Sequence, residues 1–168
     1  PGPAFQEEIS RAKRIGYEVH ALGPSQLLSM MRKVPSSPPN MRKLRTYQDE
    51  AVEKLYEALT ETGKGQVVLA TGLGKTVVMA EVASRLFTSG ALPNRRMIVL
   101  ADKRELVRQL QIGFWNQLPK EVATHLLSPE ETPKFWEGVT FATVQSVHAR
   151  MKELPAFDAV FVDEAHHI

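Results

Sequence analysis

Apolar positions beyond residue 44 recur with two periods. Ala51, Val52, Leu55, Ala58 and Leu59 form a stripe at helical spacing and predict a helix over 49–59. Short, mostly apolar runs at 66–70, 96–101, 139–142 and 159–162 predict strands buried on both faces. Between them, 75–88 reads as a helix. A further helix begins after Asp102, with Leu106, Val107, Leu110 and Phe114 on its buried side. Asp102 and Glu105 have the spacing of a capping box at its start. Alternation of apolar strands and amphipathic helices predicts an α/β fold, a parallel sheet covered by helices on both faces.

The first third of the chain has a different pattern. Residues 5–33 predict two short helical pieces, with Tyr17–His20 as a short strand between them. This stretch is expected to be an α-rich appendage, the tail of an upstream domain (1–33). Pro35, Pro38 and Pro39, with Ser36 and Ser37, deny helix and ladder hydrogen bonds, so 34–43 is read as a linker and 44–168 as the main domain.

Composition narrows the classes. The chain has 168 residues and no cysteine, which excludes a disulfide framework and a cysteine zinc site. No apolar run is long enough to cross a membrane. A cytoplasmic or nucleoid-associated location is expected. Residues 1–45 carry 8 Lys+Arg against 3 Asp+Glu, and the rest carry 13 against 16, giving +5 and −3 and the overall +2. A basic lead-in beside an acidic body is compatible with a polyanionic partner. The sequence starts Pro1-Gly2-Pro3 and stops just after a strand and a charged motif. It is therefore expected to be a piece of a longer protein, its main domain truncated.

Two segments carry chemistry. Thr71, Gly72, Leu73, Gly74, Lys75 and Thr76 follow one predicted strand and open a predicted helix. Free backbone N–H groups at such a helix start favour a phosphate, and glycines let the backbone wrap it. Lys75 adds a point charge for the outer phosphates, and the Thr76 hydroxyl suits Mg2+. Leu69 stands where the full phosphate-loop pattern has glycine. The second segment, Asp158–His167, is a strand ending in Asp163 and Glu164. Acids at the C-terminal end of a parallel strand reach the ligand crevice. Asp163 is the candidate Mg2+ holder and Glu164 the candidate base for an attacking water, provided that the chain turns between them. His166 and His167 are adjacent and lack a nearby third ligand, which argues against zinc. A polar coupling role is assigned to His166.

In this order the motifs resemble those of superfamily 2 helicases, in their first RecA-like domain. Leu44–Gln48 resembles the adenine-recognising Q motif, 70–76 motif I, Val99–Leu106 motif Ia, Thr140–Ser146 the later backbone-contacting motif, and Asp163–His166 motif II of DEAH type. The resemblance covers 44–167. It implies that Gln48, with Arg45, reads adenine; that Lys75 and Glu164 serve catalysis on ATP with Mg2+; and that Arg104 and Thr143 contact nucleic-acid phosphates. It further implies a second RecA-like lobe in the parent chain, and inactivity of this piece alone. The Arg45–Gln48 pattern with the DEAHH ending is more like restriction-enzyme motor subunits and DNA-repair helicases. Double-stranded DNA is therefore expected as partner, rather than RNA. Left open are an RNA helicase, a P-loop NTPase without a nucleic-acid partner, and a non-catalytic lobe.

Overall fold

The computed structural model describes residues 43–164, together with Ser10, Arg11, Lys13 and Arg14, which are helical and exposed. The remaining expectations for 5–33, the linker up to residue 42, and His166 lie outside the described residues. Between 43 and 164 the order is α1 (Thr46–Thr62), α2 (Lys75–Ser89), β1 (Arg96–Ala101), α3 (Arg104–Trp115), β2 (Thr124–Leu127), β3 (Gly138–Thr143), α4 (Val144–Arg150) and β4 (Ala159–Val162). The four strands form one sheet in the order β2-β3-β1-β4, every pair parallel. This is the α/β architecture that the alternating pattern predicts.

Strand periodicity divides the core. Met97 and Val99 of β1, with Phe141 of β3, face a layer built by Val52 of α1, Val78 and Val82 of α2, and Val107 and Phe114 of α3. The Phe114 and Phe141 rings meet edge to face, centroids 5.1 Å apart, a favoured aromatic geometry. Ile98, Leu127 and Ala142 face the opposite side, under Val147 of α4 and Leu154 and Phe157 of the following segment. β3 is buried along its whole length, its two threonines included, as a mostly apolar strand in a sheet centre should be.

Three expectations need correction. The run 66–70 forms no strand. It lies across a cavity of about 590 Å³ from β4, whose only strand partner among the described residues is β1. For the same reason β4 is an edge rather than a buried strand, and Val160 and Val162 are exposed. The expected Asp102 cap is also absent: α3 starts at Arg104 with Lys103 as its N-cap residue and no side-chain cap bond. β2 and α4 were not predicted at all. β2 is a four-residue edge strand containing a threonine and a histidine. α4 is a two-turn helix whose start is marked by Thr143, its hydroxyl accepting from the Ser146 N–H.

Asp158 fastens the starts of β1 and β4. Its carboxylate accepts from the N–H groups of Asn94 and Arg96, both at 3.0 Å, and from the Asn94 side-chain amide at 2.8 Å. Burial alone would push this carboxyl up, but these donors together hold it below the usual carboxylate range. A depressed folded-state pKa contributes stability above the unfolded value of about 3.9 and loses it as pH falls through the folded one. Asp158→Asn should cost about 1 kcal/mol at neutral pH. Urea titrations should show the gap to wild type closing as the medium is acidified below the ordinary carboxylate range; a gap independent of pH would contradict this origin.

Candidate nucleotide site and adjoining groove

A parallel sheet delivers all its C-terminal strand ends to one rim. Asp163 follows β4, Arg104 stands at the start of α3 three residues beyond β1, and Thr143 ends β3. The phosphate-loop candidate meets this rim at β4. Gly72 and Gly74 both have φ of 84°, in the left-handed region, where a Cβ is strained. At Gly74 a Cβ would also lie 2.5 Å from Gln48 Nε2. Gly74 is the N-cap residue of α2, its carbonyl accepting from the Val77 and Val78 N–H groups. Lys75 and Thr76 thus occupy the first turn, beside the positive end of the helix dipole.

The loop is held from α1. Gln48 is buried, and both ends of its amide are used within the protein. Nε2 donates to the Leu73 carbonyl at 2.8 Å, and Oε1 accepts from the Arg45 N–H at 3.0 Å. The Tyr47 hydroxyl also donates to the Leu73 carbonyl, at 3.2 Å, and itself accepts from the Arg45 guanidinium at 3.2 Å. The expected base-reading group is therefore placed as a clamp on the loop. One N–H of its amide and one lone pair of its carbonyl remain for a further partner.

Across the cleft, β4 ends and the chain turns: Glu164 adopts φ of 53°. The turn that two neighbouring carboxylates require is present. The Glu164 carboxylate stands 3.3 Å from Lys75 Nζ, joining segments 89 residues apart. Burial is the largest influence on Asp163 and pushes its carboxyl up; the Lys75 cation opposes this, and Glu164 adds to it. A divalent cation beside Asp163 would favour the ionised form. Among the described residues no three His, Asp or Glu side chains cluster into a metal cage. Thr76 and Asp163 carry oxygens of the kind that Mg2+ takes beside phosphates and water, Thr76 in the first turn of α2 and Asp163 just after β4.

Arg104 and Thr143 do come together. Both line a groove of about 210 Å³, with Arg108 and Ser146. Arg104 is exposed and pairs with Glu130 at 3.2 Å. Thr143 is buried, its hydroxyl sharing a 2.9 Å hydrogen bond with that of Ser146.

The family model described as "Type III restriction enzyme, res subunit" (ResIII) matches residues 41–168. The chain belongs to the ResIII family. It is similar to the "DEAD-box ATP-dependent DNA helicase Fancm" of Drosophila melanogaster, 33% identical over 76% of this chain and 9% of that protein. It also resembles the "UvrABC system protein B" of Mycoplasma mycoides subsp. mycoides SC, 32% identical over 48% of this chain and 11% of that protein. Among solved structures, the type ISP restriction-modification enzyme LlaBIII, bound to DNA, superposes with a TM-score of 0.62 at 24% identity, over 76% of this chain and 11% of that one. LlaGI, in complex with a DNA substrate mimic, gives 0.62 at 23%, over 74% and 15%. These structural likenesses establish the fold, a RecA-like α/β domain. The chain spans about a tenth of the length of its curated relatives.

Two ResIII-domain residues escaped the sequence reading. Tyr47 lay inside the recognised motif, but its hydroxyl clamp depends on tertiary contact. Gly113 sits within α3, where a Cβ would lie 2.6 Å from the Thr76 methyl. Its signal was legible as a glycine inside a helical pattern, a position that often marks close packing. Removing the clamp tests the geometry. Gln48→Ala should lower stability by about 1–2 kcal/mol and weaken nucleotide binding by about ten-fold, read by thermal unfolding and by titration with a fluorescent ATP analogue. Unchanged values of both would show that the Leu73 contact does not hold the loop.

Proposed function

We propose that this ResIII domain is the ATP-binding lobe of a motor that couples ATP hydrolysis to movement on double-stranded DNA. The observation that carries the reading is the 3.3 Å contact between Lys75 and Glu164. It brings a phosphate-loop cation and a candidate base from opposite ends of the domain to one point. Relatives named as a DNA helicase and as DNA-bound restriction enzymes support DNA as partner. Among the described residues no helix is long and apolar enough to cross a membrane; a cytoplasmic or nucleoid-associated location is part of the proposal.

The residues divide the work. Backbone N–H groups at Gly72–Thr76 and the Lys75 ammonium bind and orient the β- and γ-phosphates. A bound Mg2+ ion, held by Thr76 and Asp163, would supply charge neutralisation on those oxygens. As Lys75 turns to phosphate, Glu164 is released from it to accept a proton from the attacking water. Arg45 and Gln48 set the adenine end. Arg104 and Thr143 face the nucleic-acid backbone, which makes binding independent of sequence and sensitive to salt. His166 links this lobe to a second one in the parent chain, and that lobe completes the site. Residues 34–43 are the linker to an upstream domain.

Glu164→Gln in the full-length parent should lower DNA-stimulated turnover by about 10²- to 10⁴-fold. The test is ATP hydrolysis with duplex DNA, single-stranded DNA, RNA or no polymer. Stimulation by duplex DNA, lost in the variant, is the expected result. Stimulation by RNA alone would replace DNA as the partner, and indifference to every polymer would reduce the protein to a plain NTPase.

A further inference from the structure

The groove assigned to the nucleic-acid backbone is not basic. Its walls carry Arg104 and Arg108 but also Glu105, Glu130 and Glu131, so two positive charges face three negative ones and the formal sum is −1. A phosphodiester approaching this surface meets repulsion unless a carboxylate is displaced.

Glu130 is held at its place. The turn from Ser128 to Glu131 closes on itself: the Ser128 N–H donates to the Glu131 carbonyl at 2.9 Å, and the Ser128 hydroxyl accepts from the Glu131 N–H at 3.1 Å. From the other side, Arg150 at the end of α4 donates to the Pro129 carbonyl at 3.1 Å and to the Thr132 hydroxyl. The far end of the same helix begins after Thr143, on the groove wall. The Ser128 hydroxyl, the Glu130 backbone amide and, after them, Arg104 hold the Glu130 carboxyl below the usual carboxylate range, so the competing charge is present at neutral pH.

We propose that Glu130, presented by this turn, occupies Arg104 as a carboxylate stand-in for the nucleic-acid phosphate, and that the DNA backbone must displace it to bind. The inference rests on the reading of Arg104 as a phosphate contact. Such a device lowers affinity for DNA and makes engagement conditional on the 128–132 turn moving off. An exposed ion pair is weak enough to be exchanged in this way.

The test is fluorescence anisotropy of a labelled short duplex titrated with the full chain at low salt. Arg104→Ala should weaken binding by about ten-fold. Glu130→Gln should tighten it by roughly two- to five-fold. Glu121→Gln, which removes an exposed carboxylate outside the groove, should leave affinity unchanged, and Glu130→Gln added to Arg104→Ala should bring no further gain. If Arg104→Ala weakens binding but Glu130→Gln does not tighten it, the competition is refuted while the phosphate contact stands. Equal tightening by Glu121→Gln, or a gain that persists without Arg104, would replace the specific pair with general charge repulsion. If Arg104→Ala changes nothing, the phosphate contact itself is wrong, and the proposal falls with it.

Discussion

A buried parallel sheet fixes where charge can be used in this domain. Its strands all end on one side, so the residues that follow them are gathered on a single rim however far apart they lie in sequence. At the β4 end of this rim, Lys75 in the first turn of α2 meets Glu164, two residues past β4, at 3.3 Å. Neither charge is fully exposed: the side chains retain 31% and 37% of their accessible surface. Each supplies the other's counter-charge until a ligand with better geometry arrives. The clamp of Gln48 and Tyr47 on Leu73, and the left-handed glycines around it, keep the loop shaped for that ligand.

The same physics recurs further along the rim. Arg104 is paired with Glu130 at 3.2 Å, as Lys75 is with Glu164. In both places a carboxylate of the protein stands where the proposed function puts a phosphate, of ATP in one case and of DNA in the other. Exchange of a carboxylate for a phosphate at a fixed cation changes local charge and releases the carboxylate for other use. In the proposed function that use, at Glu164, is proton acceptance from water. At Glu130 the proposal makes it movement of the turn that Arg150 ties to α4, and so to the wall that carries Thr143.

Much of this was legible in the sequence because it depends on local pattern. The helices α1, α2 and α3 follow from apolar spacing, and β1 and β3 from mostly apolar runs. The two glycines before Lys75, and the acids after β4, carry their chemistry in their order along the chain. What was not legible depends on neighbours. The run 66–70 has the composition of a strand but no strand beside it, and composition cannot report a missing partner. β2 is short, half polar and at an edge, so its pattern is no stronger than that of a loop. The resemblance gives Gln48 a part in reading adenine; only the fold reveals that its amide also clamps Leu73 and Arg45. Glu130 lies in a polar turn that no pattern distinguishes from any other solvated loop.

The central claim is that phosphate replaces Glu164 at Lys75, and nucleotide titration of the full chain tests it most directly. A fluorescent ATP analogue with Mg2+ should bind Glu164→Gln at least as tightly as wild type, because a competing carboxylate has gone, while Lys75→Ala should lose most of its affinity. If Glu164→Gln weakens binding as much as Lys75→Ala does, Glu164 belongs to the nucleotide's own binding shell, and the exchange described here is wrong.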